Sequence, residues 1–118
     1  MPMKGIDVAQ LGNFSPFNAL KSKNLADLED KIEVLQATQG QALFDKNDTD
    51  KYAVYVLTGT VSLRDGDQVV GTVKGGTDEA RNPLAPVLPR QQSAVATDNV
   101  EYFRIDSEVL DVTLTLDQ

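Results

Sequence analysis

The chain has 118 residues, 41% of them apolar and 25% charged, with a net charge of −7. That is one soluble domain with a single core, and its acidity argues against sequence-independent nucleic-acid binding, which rests on Lys and Arg neutralising phosphates. It has no cysteine and no histidine, which removes disulfides, thiolate nucleophiles, the Ser-His-Asp arrangement and the usual imidazole metal sites.

Residues 1–13 carry no clear period and read as a lead-in ahead of the domain. They hold no apolar run fit for a signal peptide, and no stretch of the chain approaches eighteen apolar residues, so a cytoplasmic protein without membrane contact is expected. Phe14, Phe17 and Leu20 recur at helical spacing around Pro16, which predicts a short helical turn packed on the core. Asn24 is a candidate N-cap for a helix from Leu25, with Leu25, Leu28, Ile32 and Leu35 at gaps of three, four and three. Ile32 to Ala37 reads equally as a first strand, and Gly40 ends either element.

From Gln41 onward the pattern is β. Tyr52 to Leu57 is a continuous β-branched and aromatic run, predicting a strand buried on both faces. Thr58-Gly59 turns or bulges it, and Thr60 to Arg64 alternates with Val61 and Leu63 inward. Asp65-Gly66-Asp67 marks a hairpin to a strand over Gln68–Val73. Gly75-Gly76 breaks the ladder. Gln91–Thr97 and Val100–Asp106 are predicted to pair as a hairpin across Asp98-Asn99, and a helix is expected after Ser107, cut short at Gln118. Tyr52, Tyr55, Tyr102 and Phe103 are assigned to the core. Short strands at regular spacing with one central break indicate a small antiparallel barrel or jelly roll.

The segment Asn82 to Ala96 carries the chemistry. It sets a lone arginine, Arg90, and a hydroxyl, Ser93, at the mouth of a predicted strand, behind a proline-started stretch with backbone amides at Leu84 and Ala85. Guanidinium, hydroxyl and free N–H groups are what phosphate recognition requires. Read from residues alone, Arg90 serves equally as one half of an ion pair with Asp78, Glu79 or Asp106. Asp45, Asn47 and Thr49 have the alternating oxygens of a calcium loop, but Asp50 stands where that loop needs glycine and no acid closes it, so a polar turn is the better reading and no metal site is assigned. The adjacent acids Asp78-Glu79 and the pair Asp65 and Asp67 read as solvated turn residues, leaving no catalytic candidate.

In this segment the chain resembles the cyclic nucleotide-binding domain family, the sensor module of catabolite-activator-type regulators. The family's Gly-Asp-x-Phe-Gly-Glu-x-Ala-Leu stretch, short helix and Pro-Arg-x-x-Thr/Ser are similar to Gly76-Thr-Asp-Glu-Ala-Arg-Asn-Pro-Leu-Ala85 and Pro89-Arg90-Gln-Gln-Ser93, without a gap. Tyr52 to Val61, with Gly59, is similar to the family's buried strand and its glycine. The resemblance implies a mainly β fold over residues 14–118, an antiparallel jelly-roll/β-barrel of the double-stranded β-helix type with short flanking helices and a truncated C-terminal helix. It also implies that Arg90 and Ser93 hold the phosphate. Two positions depart from the pattern. Arg81 stands where the family has the glutamate that accepts from the ribose, and a guanidinium cannot accept. Pro83 stands where a backbone N–H faces the phosphate, and proline has none.

The implied function is a regulatory ligand-sensing domain, not an enzyme, with altered or weakened preference for cyclic nucleotides. The candidate ligand-binding residues are Arg90, Ser93, Arg81, Leu84 and Ala85, for a cyclic nucleotide or another phosphate-bearing ligand, and no cofactor is required. A further domain of the same polypeptide or a homodimer is the expected partner, with no direct nucleic-acid contact. The alternative is a ligand-free interaction or dimerisation scaffold with a vestigial pocket. A cupin-like enzyme on the same architecture is disfavoured by the missing histidines.

Overall fold

The computed structural model describes residues 8–84 and 89–117. The chain opens with helix α1 (Val8–Leu11), a 3-10 turn (Phe17–Ala19) and helix α2 (Ser22–Glu29). Seven strands follow: β1 (Glu33–Ala37), β2 (Ala42–Phe44), β3 (Tyr52–Thr58), β4 (Thr60–Asp65), β5 (Gln68–Lys74), β6 (Ser93–Ala96) and β7 (Val100–Asp106). A second 3-10 turn (Glu79–Arg81) lies between β5 and β6, and helix α3 (Ser107–Leu116) ends the described chain. All strand pairs are antiparallel, in a three-stranded sheet of order β1-β7-β3 and a four-stranded sheet of order β2-β6-β4-β5. This is the expected jelly-roll class, built as a sandwich of two sheets; hydrogen bonding among the described residues does not close it into a barrel.

Strand alternation divides the apolar residues between two cores. Tyr55, Phe103 and Ile105 point from the three-stranded sheet toward the helices and meet Leu11, Phe14, Phe17, Leu20, Leu25, Leu28 and Leu110. Tyr55 and Phe103 are cross-strand partners, with rings stacked at 4.7 Å, and Phe14 meets both edge-on. Burial pushes the Tyr55 phenol far above its ordinary range, and its hydroxyl donates to Ser15 O at 2.8 Å. Val54, Val56 and Val100 point the other way, into the sandwich, and meet the smaller side chains Val61, Val73, Ala94 and Ala96 of the facing sheet. The continuous apolar run of β3 thus faces two cores, as its sequence predicts.

Leu11, within the stretch read as a lead-in, is fully buried in the helical core. Two local expectations are corrected. Helix α2 begins at Ser22 rather than Leu25, with Lys21 as a cap that makes no side-chain bond; the Asn24 side chain, expected to cap it, donates to the Asp117 carboxylate beyond α3 instead. β6 and β7 do not form a hairpin. β6 pairs with β2 and β4 while β7 pairs with β1 and β3, so the Asp98-Asn99 corner carries the chain from one sheet to the other. The Asp98 carboxylate, which a tight turn would use locally, accepts from Thr60 N at 2.8 Å.

The β3–β4 junction switches sheets beside that corner, and the two crossings touch at Gly59. A Cβ there would stand 2.3 Å from Asn99 O, and Gly59 holds φ +86°. A Cβ on Gly75, whose N–H donates to Gly59 O at 2.9 Å, would likewise stand 2.5 Å from Leu57 O. Gly59→Ala should therefore cost on the order of 3 kcal/mol or more, whereas an alanine at an open left-handed position costs only about 1–2 kcal/mol. Gly66, with φ +63° and nothing within 4 Å, is that open position. Urea unfolding of the two variants should show this ranking, and equal midpoints would contradict the crossing geometry.

Candidate functional site

The β2–β3 loop and the segment before β6 are sewn together by backbone bonds. Asn47 N donates to Arg90 O at 2.7 Å and Arg90 N donates to Asp48 O at 2.8 Å. Lys46 N donates to Ser93 Oγ at 2.8 Å. The loop itself is a turn closed by Asp45 N donating to Asp48 Oδ2, with Asn47 in the left-handed region. Among the described residues no cluster of acids could hold a metal ion.

These bonds aim Arg90 inward. It is 1% exposed, among the most buried large side chains of the protein. Its guanidinium forms a two-point ion pair with Asp50, Nε to Oδ2 at 3.1 Å and Nη2 to Oδ1 at 2.6 Å. Nη2 also donates to Tyr52 O, and Nη1 donates to Leu84 O at 3.1 Å. The cation lies 4.2 Å from the centroid of the Phe44 ring. Such an arrangement satisfies the fork geometry of arginine with a planar carboxylate, two carbonyls and an aromatic face.

The other expected site residues do not converge on it as phosphate donors. The Leu84 amide is spent on Val54 O at 2.8 Å, which continues the edge of β3. Ser93 is half-buried, and its hydroxyl accepts from Lys46. Arg81 points away to the surface, with Nε 3.8 Å from the exposed Asp78 carboxylate. Ala85 lies outside the described residues. Arg90 pairs with none of Asp78, Glu79 and Asp106 in the hydrogen bonds and ion pair described above. Its acid is Asp50, a residue set aside on reading the sequence as the wrong one for a calcium loop. No local period links two residues forty positions apart; the available signal was a carboxylate two places ahead of a buried strand.

Burial alone would raise the Asp50 carboxyl. The hydrogen bonds from Arg90 and from Tyr52 N, with the adjacent positive charge, outweigh it and hold the group below its ordinary value of 3.8. Outside the pair, Asp50 borders a cleft of about 170 Å³ with Phe44, Asp48, Tyr52, Tyr102 and Arg104. Arg104 is itself placed, 4.1 Å from the Tyr52 ring centroid and 3.1 Å from Glu33 Oε1.

A group titrating below its unfolded value stabilises the fold above that value, and loses the contribution as pH falls through the lowered one. Asp50→Asn should therefore be less stable than the parent by about 1–3 kcal/mol at neutral pH, where the parent's hydrogen bonds are charge-assisted. The gap should narrow as pH drops below 3.8. Chemical denaturation across pH checks this, and a gap independent of pH would contradict the ion pair.

No protein-family model and no curated protein sequence matches the chain. Solved structures do. A cyclic nucleotide-binding-like protein from Brucella abortus is 26% identical, with a TM-score of 0.71, covering 92% of this chain and 97% of that one. The sensor domain of the transcriptional regulator DNR from Pseudomonas aeruginosa is 16% identical with a TM-score of 0.79, covering 95% of this chain and 83% of that one. A cyclic nucleotide-binding domain from Methylobacillus flagellatus is 19% identical with a TM-score of 0.68, covering 98% and 71%. Two antiparallel sheets with helices against one of them, and an arginine segment entering β6 at the expected place, give this chain the fold of those cyclic nucleotide-binding-type structures.

Proposed function

We propose that the chain is a regulatory domain of the cyclic nucleotide-binding type whose arginine site is filled from within, so that its response to cyclic AMP and cyclic GMP is weak. The observation that carries this reading is the bidentate Arg90–Asp50 pair at 1% exposure of the arginine. A phosphate reaching Arg90 must displace a carboxylate that already meets the guanidinium fork, and then leaves Asp50 without its cation. Breaking a buried pair costs about 3–5 kcal/mol, which is two to three or more powers of ten in affinity. The departures at Arg81 and Pro83 support the same conclusion, since they take an acceptor and a donor from the family's pattern.

Composition and the comparison structures support a role by binding rather than chemistry. The chain lacks histidine and cysteine, and the comparison structures are named as sensor and binding domains. No helix among the described residues is long and apolar enough to cross a membrane.

A second reading, a ligand-free interaction scaffold, is favoured by one observation. Val112 and Leu116 stand one helical turn apart on α3 and are 58% and 75% exposed. Such a stripe suits packing against another helix. If sedimentation reveals a dimer that Leu116→Glu dissolves, the scaffold reading gains over ligand sensing.

Thermal unfolding with cyclic nucleotide tests the first reading. A ligand at a hundred times its dissociation constant adds about 2.7 kcal/mol, close to 10 °C in Tm for a domain of this size. We expect ~1 mM cyclic AMP or cyclic GMP to shift Tm by less than about 2 °C, the effect of a dissociation constant no tighter than millimolar. A shift near 10 °C that Arg90→Lys abolishes would overturn the proposal.

A further inference from the structure

The cation that leaves the phosphate segment does not simply face bulk solvent. Arg81 stands at the rim of a half-open cleft of about 270 Å³ on the helical side of the three-stranded sheet. One wall is the N-terminal segment with Gln10 and Asn13, and the other is the turn with Gly76 and Thr77. Its floor is apolar, made by Phe14, Leu57 and Ala80, of which Phe14 and Ala80 are buried core residues.

The two walls are fixed relative to one another. Ser15 N donates to Arg81 O at 2.8 Å, while Ser15 O accepts from the Tyr55 hydroxyl at 2.8 Å. One residue thus ties the N-terminal segment both to the 3-10 turn carrying Arg81 and to the buried sheet. The turn opposite is closed by Thr77 N and Thr77 Oγ1, both donating to Lys74 O. Preformed concave sites that combine an apolar floor with a few polar groups at the rim are where small ligands bind.

We propose that this cleft binds a small amphipathic carboxylate, an aromatic or branched acid of about ten heavy atoms, with its apolar body on Phe14, Leu57 and Ala80 and its carboxylate on Arg81. Three observations set that class. The cleft has room for a body larger than an inorganic anion. The floor offers no hydrogen bonds from side chains. The rim group is a guanidinium, whose parallel N–H pair matches a carboxylate. Its present partner is a weak competitor: the Arg81–Asp78 pair is 3.8 Å apart, and the two side chains are 61% and 95% exposed. Surface pairs of this kind contribute about 0–1 kcal/mol. The site is separate from the Arg90 ion pair and does not depend on whether cyclic nucleotides bind there.

The test is an amide NMR titration of the full chain with phenylacetate, with phenylacetamide as the uncharged analogue. A ligand of this size gaining about 0.3 kcal/mol per heavy atom binds near ~5–10 mM, so titration to ~20 mM reaches most of saturation. Phenylacetate should give saturable shifts at the amides of Asn13, Gly76, Thr77 and Ala80, and phenylacetamide should bind about tenfold more weakly, the loss of one charge-assisted contact. Arg81→Gln should erase that difference, since the exposed side chain leaves the fold intact. Asp78→Asn should tighten phenylacetate binding by releasing Arg81. The proposal is overturned if shifts fail to saturate, if acid and amide bind alike to the parent, if Arg81→Gln leaves the preference unchanged, or if the shifts gather at Asp48–Tyr52 instead.

Discussion

A guanidinium in a protein interior has to be met by acceptors on all sides, because an unpaired charge there costs several kcal/mol even after relaxation. Arg90 meets that demand with groups from three stretches of chain: the Asp50 carboxylate ahead of β3, the Tyr52 carbonyl at the start of β3, and the Leu84 carbonyl from the segment that follows the second 3-10 turn. The geometry of that whole corner follows from it. Leu84 cannot leave β3 without surrendering both its own bond to Val54 and the acceptor it gives to Arg90. The guanidinium thereby holds the β2–β3 loop, β3 and the Leu84 segment in one arrangement.

Around that corner the fold has little freedom. β3 carries the wall between two cores, its odd residues facing the aromatic cluster under the helices and its even residues facing small aliphatics in the sandwich. The two sheet-to-sheet crossings meet at Gly59 with no room for a side chain. The helical face offers a concavity apart from this ion pair, and the arginine that departs from the family's pattern stands at its rim.

Much of this was legible in the residues, because local pattern and burial agree there. The β-branched run of Tyr52 to Leu57, the Asp-Gly hairpin at Asp65 to Asp67 and the position of Gly59 each state their own structure. What failed was whatever depends on partners distant in sequence. Asp98-Asn99 has the composition of a hairpin turn, but its carboxylate is used by Thr60 across the junction, and the strands on either side belong to different sheets. Asn24 has the composition of a cap, but its amide reaches Asp117. Leu11 sits in a stretch without period and is nonetheless fully buried, since one leucine on a single helical turn leaves no repeat to read. Asp50 is the most consequential case. Arg90 stood out in the sequence, but the acid that meets it is Asp50, forty positions away, and not one of the candidates Asp78, Glu79 and Asp106.

The central claim is that the Arg90 guanidinium is a structural group held by Asp50 and two carbonyls. Its side-chain Nε–Hε resonance tests this most directly. A guanidinium so enclosed should exchange its Hε with water far more slowly than that of the exposed Arg81, and the signal should stay in place when cyclic AMP is added. A rapidly exchanging Arg90 Hε, or one that moves with cyclic AMP while the Asp50 carboxyl returns to its ordinary titration range, would show the arginine to be available to a ligand and the account to be wrong.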